Sequence, residues 1–329
     1  MPNSFTARRC VMTPRGPLSA WVLTPSRWAS GSPDVATGSG SSEDLQLALY
    51  LCYEPHYHDV DGLPADAEWH PDLLEFRRRL EGAFECSLRE LVGVVDDAWP
   101  VREAIPRLIE ADDGPSVSRH METRGTPAQM IELLKHRSAY QLKEADPHTF
   151  AIPHLSGRAK QILAAIQAGE YGADAPDRSM HSSLYAQTMR AFGLDDRPNA
   201  YLDELPASAL MISNLISYFG LHRMHRARLV GHLAVFEMTS VVPMGRYARG
   251  LERMGAPEEA RRFYDVHVLA DAEHEHMALA MADALEQDEP GSRRDVLFGA
   301  HCVLATERLF ALELLGRWEQ RELRPAAAA

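Results

Sequence analysis

An all-α fold is predicted for this 329-residue chain. Three observations predict it. Strand-type alternation is nearly absent. Apolar residues recur at helical spacing between Pro, Gly and capping residues. One stretch, 260–284, contains neither Gly nor Pro and carries a narrow stripe of unusual composition. No internal repeat is visible. A chain of this length buries a large core without staples, so a multi-helix bundle is the architecture expected.

The elements follow in order. Residues 1–42 are expected to be a flexible N-terminal segment, Gly/Ser-rich at 30–42, with Trp21, Val22, Leu23 and Trp28 available to pack on the body. Residues 43–125 are expected to be an N-terminal helical region. Its first helix is buried through Leu45, Leu47, Leu49, Leu51 and Cys52, and Pro55 ends it. His56 and His58 follow in a turn. An amphipathic helix over 73–91 comes after Pro71, a residue suited to a first helical turn. The core bundle is expected at 126–322. Pro127 opens a helix to about residue 143, and 157–168 continues until Gly169 and Gly172 stop it. Further helices are predicted over 179–192, 208–219, 221–239, 246–253, 260–285 and 295–319. Residues 323–329 form an Ala-rich, flexible tail.

The formal net charge is −13 with no basic arm, which argues against nucleic acid or an acidic membrane as partner. No run of about 18 apolar residues is present to span a bilayer. Cys10, Cys52, Cys86 and Cys302 have no zinc or redox spacing and are expected to be free, mostly buried thiols. With no signal-peptide pattern, a cytoplasmic location is expected.

The stripe is the source of the chemistry. His267, Asp271 and His274 form His-x3-Asp-x2-His in FYDVHVLADAEHEHMAL. At roughly 100° per residue they fall at about 0°, 40° and −20°, on one face. Phe263, Tyr264, Ala270, Ala278 and Met281 share that face, so the ligand-type residues interrupt an apolar surface. An unpaired buried carboxylate is very costly, and a cation removes the cost. A lone His there would be an ordinary core residue; the triplet is not. Glu273, Glu275 and His276 fall mostly on the opposite, solvated side.

Other candidates could converge on the stripe. Glu237 lies among apolar neighbours in LVGHLAVFEMTS, and Glu170 in AGEYG and His181 in MHSSLY flank a helix break at Gly172 and Pro176. Glu144 stands at a helix end near Pro147. Any one of them alone is weak evidence.

As an ordered set, LKEADPHTFAIPHLSGRAK, AGEYG, MHSSLYAQTM, VGHLAVFEMTS and HVLADAEHEHMAL resemble the haem-oxygenase-like di-iron oxidases and oxygenases, a bacterial family of iron-containing redox enzymes. The resemblance covers about 125–290. DLQLALYLCYEPHYH near 44–58 looks like the front part of longer members. The resemblance implies a haem-oxygenase-like bundle with an extra N-terminal helical region. It implies Glu170, His181, Glu237, His267, Asp271 and His274 as metal ligands, with Glu144 as an additional carboxylate. The implied cofactor is a pair of Fe(II) ions that react with O2, a Mn/Fe pair being the alternative.

The residue types agree with that implication. Imidazoles and carboxylates suit first-row metals in an open site, whereas structural zinc favours Cys. Haem needs one axial ligand and a broad apolar slot rather than several acids. The expected function is O2-dependent oxidation of a small substrate, an amino acid or derivative, in natural-product metabolism. C–H abstraction and N-oxygenation are the reaction types implied. Arg178, Arg246, Lys160 and Arg249 are candidate substrate-binding cations. With no fused reductase motif, electrons are expected from the substrate or a separate donor. A homodimer is plausible by analogy only. The alternatives are a non-catalytic metal-binding bundle, a purely structural bundle, and a thiaminase-like hydrolase, for which Cys302 is the nearest candidate nucleophile.

Overall fold

The computed structural model describes residues 12–36, 38–173 and 178–323, without the side chains of 269–273. The helices are α1 (Pro17–Val22), α2 (Glu43–Tyr53), α3 (Pro71–Val92), α4 (Val101–Glu110), α5 (Val117–Thr123), α6 (Pro127–Gln141) and α7 (Asp146–Thr149). They continue with α8 (Gly157–Glu170), α9 (His181–Ala191), α10 (Ala207–Leu221), α11 (Arg226–Met238), α12 (Val241–Arg253), α13 (Glu258–Asp288) and α14 (Arg293–Leu323). No strand occurs among the described residues, and none of their helices is long and apolar enough to cross a membrane.

Local chemistry explains the starts. Ser42 caps α2, its hydroxyl accepting from the Leu45 N–H at 3.2 Å. Thr126 and Gln129 form a reciprocal capping box at α6, with Pro127 in the first turn. Asp44 reaches out of α2 to cap its neighbour, accepting from the Leu18 and Ser19 N–H groups at 2.9 Å each. The N-terminal segment is therefore helical from Pro17, and Trp21, Val22 and Trp28 are buried.

One hydrophobic core runs from Leu18 to Trp318 and includes both the N-terminal helices and the bundle. Helix α10 lies inside it, buried on every side from Ser208 to Gly220. Helix α11 sits against α14 through reciprocal glycines. A Cβ on Gly231 would lie 1.8 Å from the Val296 carbonyl oxygen, and one on Gly299 would lie 1.9 Å from that of Arg228. Only glycine permits that approach. Helix α13 packs against α8, α9, α11 and α12, so its ligand stripe faces the ends of α8 and α11 and the start of α9.

Several boundaries differ from expectation. The apolar stretch 221–239 is not one helix, because His222 is extended (φ −103°, ψ 112°) and a turn over Arg223–His225 precedes α11. The His222 ring is held outside the helix by Glu81 at 2.8 Å. Helix α12 begins at Val241 rather than near 246 and accommodates Pro243 in its first turn. Helix α8 continues through Gly169 to Glu170. Helices α4 and α5 lie within the region expected to be helical but had no individual bounds, and α7 is a short helix with no counterpart in the expected set. Of the cysteines, Cys52 and Cys302 are buried and Cys86 is exposed, all three free; Cys10 lies outside the described residues.

Candidate metal centre

Breaks between helices place most of the ligand candidates. Glu144 stands in the turn joining α6 to α7, just before Ala145, whose φ of 79° is left-handed. Glu170 is the last residue of α8, and His181 is the first of α9. Gly172, at φ 82°, makes the turn between them; a Cβ there would meet the Ser179 carbonyl oxygen at 2.7 Å. Glu237 lies in the last turn of α11. His267 and His274 lie two turns apart in the middle of α13. Asp271 is between them on the same helix, and its side chain lies outside the described residues.

The structure brings six of the seven predicted ligands together. Glu144, Glu170, His181 and His267 form one group, with ligand atoms all within 4.8 Å of one another. Glu170, Glu237 and His274 form a second at the same spacing. Glu170 belongs to both. Its Oε2 lies 2.6 Å from His181 Nδ1 and its Oε1 lies 3.2 Å from His274 Nδ1. His274 Nδ1 is also 3.6 Å from Glu237 Oε2, and His267 Nε2 is 3.6 Å from Glu144 Oε2. All six residues are buried.

These contacts suit metal ions better than they suit one another. His181 Nδ1 and His274 Nδ1 are buried beside carboxylate oxygens without the geometry of a hydrogen bond. His267 Nδ1 donates to the Phe263 carbonyl at 2.7 Å, which leaves the Nε2 lone pair directed at the carboxylates. Gln141, with its amide nitrogen as donor, lies 2.8 and 2.9 Å from the two Glu144 oxygens. Three imidazoles and three carboxylates thus converge, with His267 and Glu144 fixed from behind by hydrogen bonds. That is a donor set able to hold metal, with Glu170 common to both groups.

Charge is unevenly distributed across the cluster. Burial pushes the Glu144 carboxyl up, partly offset by His267. Burial also acts to raise Glu170, but His181 and His274 overcome it and hold that carboxyl well below the usual range. Burial alone would lower His274; Glu170 and Glu237 instead push it up to about 10.

A small inner cavity opens beside these ligands, lined by Glu144, Glu170, Glu237 and His267, with His148 and Phe236 as further walls. His148 Nε2 and His232 Nδ1 are 3.3 Å apart. Burial lowers both, His148 to about 4, so the pair adds no charge. A larger cavity of about 270 Å³ adjoins the inner one and shares Phe236, Ser240 and Met244 with it.

The predicted substrate cations line neither cavity. Arg178 is exposed with φ 53°, and Lys160 lies half-buried on α8. Arg249 donates to Glu122 at 2.6 Å. Arg246 comes nearest, 3.5 Å from Ser116 Oγ at the larger cavity. Gln141, His148 and His232 escaped sequence reasoning, although Gln141 and His148 flank Glu144 at three and four residues, a spacing that could have found them. His276 is exposed, as its position off the stripe required.

A family model described as iron-containing redox enzyme matches residues 131–308. No curated protein matches the chain. The matched stretch is more than half of the chain and contains all six clustered ligands, and the all-α bundle is the haem-oxygenase-like fold that the sequence resemblance implied. The chain belongs to the iron-containing redox enzyme family.

Proposed function

We propose that the chain is a non-haem di-iron, O2-dependent oxidase or oxygenase of a small substrate, an amino acid or derivative, in natural-product metabolism. The observation that carries this reading is Glu170, one buried carboxylate that belongs to two ligand groups at once. A single-ion protein has no use for the second group.

The pair of Fe(II) ions, when bound, would supply O2 reduction and the oxidising power for C–H abstraction or N-oxygenation. The chain's own residues supply position and dryness. The Phe263 carbonyl fixes the His267 tautomer, and Gln141 orients Glu144. Phe236 and Met244 wall the inner cavity with apolar surface, and the neutral pair His148 and His232 places a proton-bearing imidazole beside it without adding charge. Electrons beyond those of the substrate would come from a separate donor.

The other readings fit less well. Burial pushes the Cys302 thiol up, away from a nucleophilic thiolate, and no described Cys lines either cavity. A purely structural bundle leaves three clustered acids without a purpose. Anaerobic Fe(II) loading, elemental analysis and mixing with O2 test the proposal. About two irons per chain and O2 consumption dependent on them are expected; a reproducible value of one or less, or no O2 uptake with any of a panel of amino acids and fatty acids, overturns it.

A further inference from the structure

The 270 Å³ cavity beside the metal centre has a polar feature that neither the ligand set nor the fold explains. Its middle is apolar, walled by Leu133, Tyr185, Phe236, Met244 and Phe263. In that wall Arg137 of α6 and Glu307 of α14 meet in a two-pronged pair. Nη1 donates to Oε1 and Nη2 to Oε2, both at 2.6 Å. The Phe310 ring lies 4.3 Å from the guanidinium carbon and fixes its plane.

We propose that the Arg137–Glu307 pair is the recognition site for the head group of a zwitterionic α-amino acid with an apolar body. This rests on reading the neighbouring cluster as the oxidising centre, since the cavity serves that centre through the shared Phe236, Ser240 and Met244.

The chemistry follows from valence. Glu307 occupies two of the Arg137 N–H groups, and the remaining guanidinium N–H groups are free to meet a carboxylate. Each Glu307 oxygen keeps a second lone pair for an ammonium. An α-amino acid carries both groups on one carbon, so it caps the pair from the side and breaks neither existing bond. Its apolar body then lies against the aromatic wall toward Phe236 and the inner cavity.

Net charge decides between ligand classes. Arg137 and Glu307 cancel, and at the rim Arg308 is offset by Asp113 at 2.7 Å and Asp112 at 3.8 Å. A monocarboxylate such as a fatty acid would bring one uncompensated charge into a partly dry chamber, which is costly. A zwitterion brings none. Alternation of charge around a four-membered ring of ions also satisfies every partner, as a buried polar cluster requires.

The test is equilibrium binding to the iron-loaded protein without O2, by calorimetry. The probes are L-phenylalanine and L-leucine, each beside its deaminated acid (3-phenylpropanoate, 4-methylpentanoate) and its decarboxylated amine (2-phenylethylamine, 3-methylbutylamine). At least one amino acid is expected to bind about tenfold or more tightly than both of its singly charged analogues. Glu307→Gln is expected to erase the preference over the deaminated acid, and Arg137→Gln the preference over the amine, with iron content unchanged. Similar affinity for all three members of both sets, or no binding of either amino acid, overturns the proposal on the unmodified protein, so nothing hangs on whether the variants fold. Iron content measured on the same samples separates the two readings. Low iron with the preference intact sinks the di-iron assignment alone; two irons without the preference sinks the head-group site alone.

Discussion

Oε1 of Glu170 lies 3.2 Å from Nδ1 of His274, while its other oxygen is committed to the group that contains His267. The last residue of α8 thus ties together ligands two turns apart on α13. This makes the ligands unequal.

Glu170→Ala is expected to abolish binding of both irons. Glu144→Ala and Glu237→Ala each remove a ligand from one group and are expected to leave about one iron bound. His276→Ala, on the exposed face, is expected to retain both. Iron per chain after anaerobic loading and desalting checks the set. Equal loss in Glu144→Ala and Glu170→Ala would show that the shared position is not special.

Loading is expected to release protons. In the metal-free protein His274 is pushed up to about 10, above its ordinary 6.5, so it carries a proton at pH 7 that a metal must displace. Calorimetry at pH 7 in two buffers of different ionisation enthalpy should show the release. The same shift sets a stability window. A raised pKa contributes stability that is full below 6.5 and lost as the pH climbs through about 10. The metal-free protein should therefore melt progressively lower across that range, and His274→Ala should flatten the slope. A slope unchanged in the variant would assign it elsewhere.

The contact between α11 and α14 tolerates no side chain at its centre. Gly231→Ala and Gly299→Ala each force a methyl into a backbone carbonyl. Each is expected to destabilise the fold by about 1–3 kcal/mol or more, read as a lower urea midpoint. Gly291→Ala meets nothing within 4 Å and should be near neutral.

Lys143, the residue before Glu144, gives its ammonium to Glu54 of the N-terminal region, with side chains 2% and 1% exposed. The rings of Tyr50 and Tyr57 lie 4.5 and 4.7 Å from that ammonium. Lys143→Met leaves Glu54 buried beside His58 and Asn199 without its main counter-charge. A loss of about 3–5 kcal/mol is expected, much of it restored in Lys143→Met/Glu54→Leu. Denaturant melts of the single and double variants check this; a double variant no better than the single would mean the pair is not the cause.

The sequence revealed much of the centre because burying acids on an apolar face is conspicuous. His267 and His274 share a stripe one helix long, and Glu170 and His181 flank a visible break. Those signals are local. Arg137 and Glu307 are 170 residues apart, and Lys143 and Glu54 are 89 apart, each unremarkable in its own segment. Pairing of that kind is set by tertiary packing, which no periodicity records. Arg178 and Lys160 lie near ligands in sequence, and that nearness does not become nearness to a cavity. The break at His222 falls two residues after Gly220, so its existence was legible in the sequence, but its exact place was not; a side-chain contact with Glu81 accompanies it.

The Lys143–Glu54 bond crosses the edge of the family match, since Glu54 lies outside residues 131–308 and Lys143 lies inside. The stretch defined by kinship is therefore smaller than the unit defined by electrostatics. A fragment cut to 131–308 would keep every clustered ligand, yet it would strip from Lys143, the residue next to one of them, both its counter-charge and the Tyr50 and Tyr57 rings that enclose it. Inheritance and charge pairing draw different borders on this chain, and the border of charge pairing reaches back at least to Glu54.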